Sequence, residues 1–258
     1  MYDVSRPPRD SPHEHGAARQ RMRVDLAAAH RLAVMDDLHE GSWNHMSVVI
    51  PGERDRLLMT PADTHWSEVT ATGLVEVGPE DTDRLRETYD GLWVAYRIHY
   101  PVHAARGDAI CMIHLHPPHA TALSALADGQ LEFVDQAALE FYERIAYSDV
   151  YDGGGGFGMD QGAAIAQWLG DHATVLFLRN HGIVVIGDSI AAAYTDTYLL
   201  ERACRVQLLA MASGRPLAPV PADAARAMRS EGESLSYRVR HFAAMKRVLV
   251  REGSDYAS

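Results

Sequence analysis

Two cysteines in 258 residues leave no basis for a disulfide framework. Both, Cys111 and Cys204, fall in apolar segments and read as buried thiols. No apolar run approaches the roughly 20 residues that a membrane helix needs. The opening residues, MYDVSRPPRDSPHEHGAARQ, contain proline and charge but none of the apolar core of a secretory signal, so a cytoplasmic location is the expectation. Positive charge is short as well. The formal net charge is −11, with no basic stripe of the kind that nucleic acid or an anionic membrane would require, which leaves small molecules as the expected partners. No internal repeat is visible. The glycine run Asp152–Gly158 (DGGGGFG) lacks the Gly-Lys-Ser/Thr of a phosphate loop and follows no clear strand, so it reads as a loop and a candidate lid.

What the chain does contain is ordinary for a soluble globular enzyme, with 47% hydrophobic and 23% charged residues and length enough to bury a sizeable core. Residues 1–20 read as a flexible arm, 21–215 as the main domain and 216–258 as a helical tail packed on it. Met22, Leu26, Ala29, Leu32, Ala33, Met35 and Leu38 recur at helical spacing and predict an amphipathic helix over 21–39. Residues 43–50 and 57–59 read as strands joined by a turn at 51–53, and 73–77 as a further strand. The spacing predicts helices over 92–105, 118–126, 136–145 and 161–169, and a long helix to Ala210 that Ser189 caps. A last helix is expected from about 222 or 233 to 250.

The chain is organised around Ala109–Leu126 (AICMIHLHPPHATALSAL). The apolar run that opens it is a buried-strand pattern, and Pro117-Pro118 ends the ladder. Side chains at i and i+2 share a face of a strand, so His114 and His116 project together from its end, where two imidazoles can grip one cation. Three protein ligands and an open position make a catalytic zinc site, which directs attention to a third ligand. Further on, Thr174–Leu178 and Ile183–Ile186 are buried-strand patterns flanking Arg179-Asn180-His181-Gly182, which puts His181 on a tight turn where Gly182 allows close backbone approach. His99 and His103, at i and i+4 on one helix face, lack the Glu of an H-E-x-x-H motif and are read as supporting rather than ligating.

The segments HLHPPHATALSAL, RNHGIVVIGDSIAAAYTDTYLLERAC and WNHMSVVIPG, with the intervening TPAD and VTATGLVEV, together resemble the class II aldolase/adducin family over about residues 25–212. The closing HFAAMKRVLVR is similar to its adducin-type branch. The resemblance implies an α/β fold, a three-layer α/β/α domain around a mostly antiparallel central sheet, and a homotetramer with sites near subunit boundaries. It implies that His114, His116 and His181 are the metal ligands, with Zn²⁺ first and Mn²⁺ or Fe²⁺ as alternatives. It implies a lyase in which the metal stabilises an enediolate, an intermediate shared by retro-aldol cleavage and decarboxylation.

The chain departs from the family's sugar-phosphate aldolases at three places. Their catalytic Glu, nineteen positions before the first ligand histidine and preceded by two serines, is matched by Trp93-Val94-Ala95. Their Gly-Asn-x-Ser phosphate loop survives as Asn44 and Ser47 without the glycine, and their Ser-Gly phosphate contact becomes Ala62-Asp63. The substrate is therefore expected to be a small hydroxy-oxo acid without phosphate, touched by Asn44, Ser47 and Asp63. A different residue must move the proton, and His119, Tyr151 and Asp149 are the candidates. Two other functions compete. One is an Fe²⁺-dependent oxygenase, against which stands the usual triad of two histidines and a carboxylate. The other is a non-catalytic adducin-like module, a kind that lacks the metal histidines and has a basic tail; this chain has the histidines and ends in GSDYAS.

Overall fold

Alternation along the strands sets the layers of this fold. The computed structural model describes residues 12–87, 91–148, 150–151, 161–232 and 236–258. Among them seven strands form one sheet: β1 (His45–Ile50), β2 (Glu53–Met59), β3 (Val75–Val77), β4 (Cys111–Leu115), β5 (Ile145–Tyr147), β6 (Val175–Leu178) and β7 (Gly182–Gly187). Their order is β3-β2-β1-β4-β7-β6-β5, so β4 and β7 are central. Every neighbouring pair is antiparallel except β5 with β6, which run parallel. The sheet is thus mixed, where a mostly antiparallel one was expected. A parallel pair needs a crossover, and helix α6 (Gln161–Leu169) lies between those two strands in the chain.

On β4, Cys111, Ile113 and Leu115 face one side and pack in a cluster with Leu26 and Leu32 of α1 (Pro12–Met35), Leu123 of α4 (Pro118–Ser124), Leu200 of α7 (Ile190–Met211) and Phe242 of α9 (Ser236–Arg251). Met112 faces the other side, where it joins Leu176, Val184 and Ile186 against Ile98 and Val102 of α3 (Gly91–Ala105) and Ile165 and Leu169 of α6. The edge nearer β2 buries Val49, Leu57 and Met59 against Leu92 and Tyr96 of α3 and Leu85 of α2 (Thr82–Glu87). Each such side chain, fully removed from water, contributes about 1.5–3 kcal/mol. The result is the three-layer α/β/α arrangement that the resemblance implied. Cys111 and Cys204 are buried free thiols. No helix among the described residues is long and apolar enough to cross a membrane.

Several boundaries differ from the sequence reading. Helix α1 begins at Pro12, inside the segment expected to be a flexible arm, since proline is tolerated in a first helical turn. Residues 1–11 lie outside the described residues. The helix expected over 136–145 stops at Leu139 as α5 (Gln136–Leu139), and Ile145–Tyr147 pairs with Val175–Phe177 instead. The expected last helix is two, α8 (Ala222–Gly232) and α9. Asp196 of α7, almost fully buried, receives Arg144 Nη2 at 2.7 Å and Arg238 Nε at 2.6 Å, which ties α9 to α7 and to the approach to β5. The chain end closes on the loop before β3, where Ala71 N–H donates to Tyr256 O at 2.8 Å and Thr72 N–H to Ser258 O at 3.0 Å.

Helices α3 and α6 meet where a Cβ on Gly162 would come within 2.6 Å of Ile98 O and 2.7 Å of Arg97 O. Both obstacles are backbone and cannot turn aside. Gly162→Ala should therefore lower stability by about 1–3 kcal/mol. The measurement is the urea midpoint at unchanged m-value; an unaltered midpoint would show that the two helices do not touch there.

Candidate metal centre

β4 and the β6–β7 hairpin bring three histidines to one end of the sheet. His114 is the fourth residue of β4, opposite Val184 of β7. His116 follows the strand directly, and Pro117, extended at φ −67° and ψ 142°, turns the chain into α4 with Pro118 in its first turn. The pairing of Leu178 with Gly182 leaves a three-residue loop, in which Asn180 takes the left-handed conformation at φ 56°. His181 stands at its end. Glycine is required next to it, because a Cβ on Gly182 would lie 2.4 Å from Leu115 O and 2.7 Å from His116 Cδ2.

One nitrogen from each of His114, His116 and His181 lies within 4.8 Å of the other two. His114 Nδ1–H donates to Ile183 O at 2.9 Å, and His116 Nδ1–H to Glu40 Oε2 at 2.5 Å. A carbonyl and a carboxylate only accept, so in the neutral form of either ring Nε2 carries the lone pair. Those two Nε2 atoms are 3.2 Å apart. Facing lone pairs repel unless a cation lies between them. Burial, reinforced by the neighbouring rings of His45, His181 and His116, holds His114 well below the usual imidazole range, so its Nε2 is available as a neutral acceptor. Neutral imidazoles with their rear nitrogens engaged suit a divalent ion such as zinc, and the residues present fit one.

Behind the three rings lies a buried polar chain on the α3 side of the sheet. His45 pairs with His114 across β1 and β4, and their ring centroids are 4.9 Å apart. His45 Nδ1 is 2.6 Å from His99 Nε2; His99 Nδ1 is 2.5 Å from Ser47 Oγ; Ser47 Oγ is 2.7 Å from His103 Nε2; His103 Nδ1 is 2.6 Å from Ala109 O. Burial is the main cause that lowers His45 to about 3 and His103 to about 4, and it holds His99 well below its ordinary value. His99 and His103 are thus supporting residues, as their spacing without a glutamate indicated.

The three histidines open on a cavity of about 610 Å³. Asn44 lines it, buried, with Oδ1 accepting from Glu40 N–H at 2.6 Å and Nδ2 left without a partner. Tyr151 also lines it and is 61% exposed. Asp149 and the glycine run of 152–158 lie outside the described residues. Three expected site residues stand elsewhere. Ser47 is fully buried, its hydroxyl held between His99 and His103, and it does not line the cavity. Asp63 is exposed on a neighbouring hollow with Val75 and Arg84. His119 faces away, its Nδ1–H donating to Glu201 Oε1 at 2.6 Å in a separate hollow with Tyr198 and Arg205. Its proximity to His116 in sequence is undone by the turn at Pro117-Pro118, after which Glu201 accepts from the N–H groups of His119 and Ala120. Sequence reading missed Glu40 and His45. Glu40 lies in a turn with no periodic pattern, and His45 could be found only from the register between β1 and β4.

Fold and site together define an α/β/α domain in which three histidines that could hold a metal ion converge at the end of the sheet. The Class II Aldolase and Adducin N-terminal domain matches residues 24–208, and the chain belongs to that family. It is 36% identical to Decarboxylase NovR of Streptomyces niveus over 201 residues, 72% of each chain. It is 35% identical to a putative aldolase class 2 protein of Caulobacter vibrioides over 193 residues, 75% of this chain and 74% of that one. The crystal structure of an aldolase II superfamily protein from Pseudomonas syringae superimposes with a TM-score of 0.82 at 29% identity, covering 96% of this chain and 98% of that one.

Two outcomes test this geometry. Glu40→Ala frees the rear nitrogen of His116 and should weaken zinc binding by about 10–100-fold in a chelator competition; unchanged affinity would deny Glu40 that role. The second concerns acid. His30 and His103 are both buried and lowered from 6.5 to about 4, so the unfolded chain takes up protons first as pH falls below 6.5. Stability contributed by these two neutral rings should be lost between pH 6.5 and about 4, and the more strongly lowered His45, His99 and His114 carry the loss further down. Urea midpoints of the metal-free chain should fall across that window, and a flat profile would contradict the burial of neutral rings.

Proposed function

We propose that this chain is a divalent-metal-dependent lyase that breaks a C–C bond in a small, non-phosphorylated hydroxy-oxo acid, by retro-aldol cleavage or by decarboxylation. The observation that carries this reading is a three-imidazole centre at the mouth of a cavity with no Lys or Arg among its described lining residues. A phosphate would want such a cation or a set of free backbone donors. Ala95 lines the same cavity at the position matched to the aldolase glutamate, and the carboxylate in that lining, Glu40, is engaged by His116 Nδ1. The likeness to a decarboxylase and to aldolase-class proteins supports the same chemistry.

Breaking a bond next to a carbonyl leaves an electron pair that settles on the carbonyl oxygen. A divalent cation, with zinc first and manganese or iron as alternatives, supplies the Lewis acidity that takes up this charge. His114 and His116 are held in register by Ile183 O and Glu40, which fixes where that acidity acts. The unpartnered Nδ2 of Asn44 donates to a substrate oxygen. The phenol of Tyr151, on the cavity rim, moves the proton, and Asp149 is a further candidate close by in sequence. His119 keeps a positioning role at the start of α4, and neither Ser47 nor Asp63 reaches the substrate. Trp43 and Tyr151, 79% and 61% exposed at the cavity, suit burial by a second copy, in keeping with a cytoplasmic homotetramer.

The test joins metal analysis to a substrate panel. The purified chain should hold one zinc, and His116→Ala should lose the metal together with about 10²–10³-fold or more of the turnover. Tyr151→Phe should keep the metal and lower turnover by about 10²–10⁴-fold. Iron with oxygen uptake would point to an oxygenase instead, and turnover that persists without metal would reject both. A preference for phosphorylated substrates would reject the proposed substrate class.

A further inference from the structure

The polar chain behind the metal centre has only one consistent set of proton positions. Ala109 O can only accept, so His103 Nδ1 carries the proton and its Nε2 is bare. Ser47 must then donate its hydroxyl proton to His103 Nε2, which leaves Oγ to accept from His99 Nδ1–H. With that proton on Nδ1, His99 Nε2 is bare and accepts from His45 Nδ1–H. The lone pair of His45 therefore lies on Nε2. That atom has no hydrogen-bond partner among the described residues, and the half-buried ring lines the metal cavity. His45 is outside the set of three whose ligand nitrogens converge, although its ring lies 4.9 Å from that of His114.

We infer that His45 is a further substrate-orienting residue, an acceptor that takes a hydrogen bond from a substrate hydroxyl beside the metal, with its tautomer dictated from Ala109 O through the positioning residues His103, Ser47 and His99. The assignment rests on the hydroxy-acid reading above and sharpens it. The site selects compounds with a free hydroxyl next to the metal-binding oxygen and rejects their ethers. A site built to accept a hydroxyl hydrogen bond discriminates strongly against an analogue without the donor. Ser47 thereby acquires a purpose without touching the substrate, because its hydroxyl is the one rotor in the chain and it is locked from both sides.

Long-range ¹H–¹⁵N spectra of the full-length chain, with zinc and without, read the tautomers directly. His45, His99 and His103 should all carry the proton on Nδ1. Ser47→Ala removes the acceptor for His99 Nδ1–H and should give His45 a substantial Nε2–H population, which a merely structural serine would not do. An Nε2–H tautomer or zinc ligation at His45 in the wild type would overturn the assignment without touching the lyase reading, and so would an unmoved tautomer in folded Ser47→Ala. In the zinc-loaded protein, glycolate should bind about tenfold more tightly than methoxyacetate, and His45→Ala should abolish that preference. Equal binding in the wild type, or a preference that survives in His45→Ala, overturns the role. Binding of neither compound sinks the hydroxy-acid reading, and the substrate role of His45 with it.

Discussion

Two rear nitrogens decide what this site is. With Nδ1–H of His114 given to a strand carbonyl and Nδ1–H of His116 given to a carboxylate, the remaining lone pairs are aimed at the same point. The sheet enforces this. The acceptor for His114 is Ile183 O on β7, and the β4–β7 register that presents it also carries His181, two residues before Ile183, to the same end. A chain that placed the rings less rigidly could relieve their repulsion by turning one aside. Here the central position of β4 and the glycine at 182 remove that freedom. Ring nitrogens oriented by their rear partners are what suit the site to a cation.

Much of this was legible beforehand, for definable reasons. His114 and His116 were visible because period-two spacing at the end of an apolar run has only one geometric meaning. His181 was visible because a turn between two buried strands must sit at an edge of the sheet. Ser47 was assigned to the substrate because a linear motif does not reveal which face of β1 meets α3, and that phase puts its hydroxyl between two histidines. The proposed proton-transfer role of His119 came from nearness in sequence, which the Pro117-Pro118 turn makes irrelevant in space. The error over 136–145 was one of length, since short apolar runs fit helix and strand alike.

The family frame and the local chemistry pull in complementary directions. The fold brings three histidines that could hold a metal to the sheet end, while the cavity beside them has no cationic side chain among its described residues and has Ala95 in its lining. What replaces those functions is a histidine relay rooted in the protein interior, which fixes a hydrogen-bond acceptor without exposing a charge. On the proposed reading, neutral donors and acceptors of defined direction set substrate choice, where a phosphate-gripping relative would use positive potential.

The central claim is that one divalent ion is held by His114, His116 and His181. X-ray absorption at the zinc edge of the metal-loaded chain tests it most directly. Three imidazole nitrogens at about 2.0–2.1 Å, with their outer-ring scattering and a light atom completing the shell, are the predicted result. A sulfur shell at about 2.3 Å, or a shell of oxygens without imidazole scattering, would contradict it.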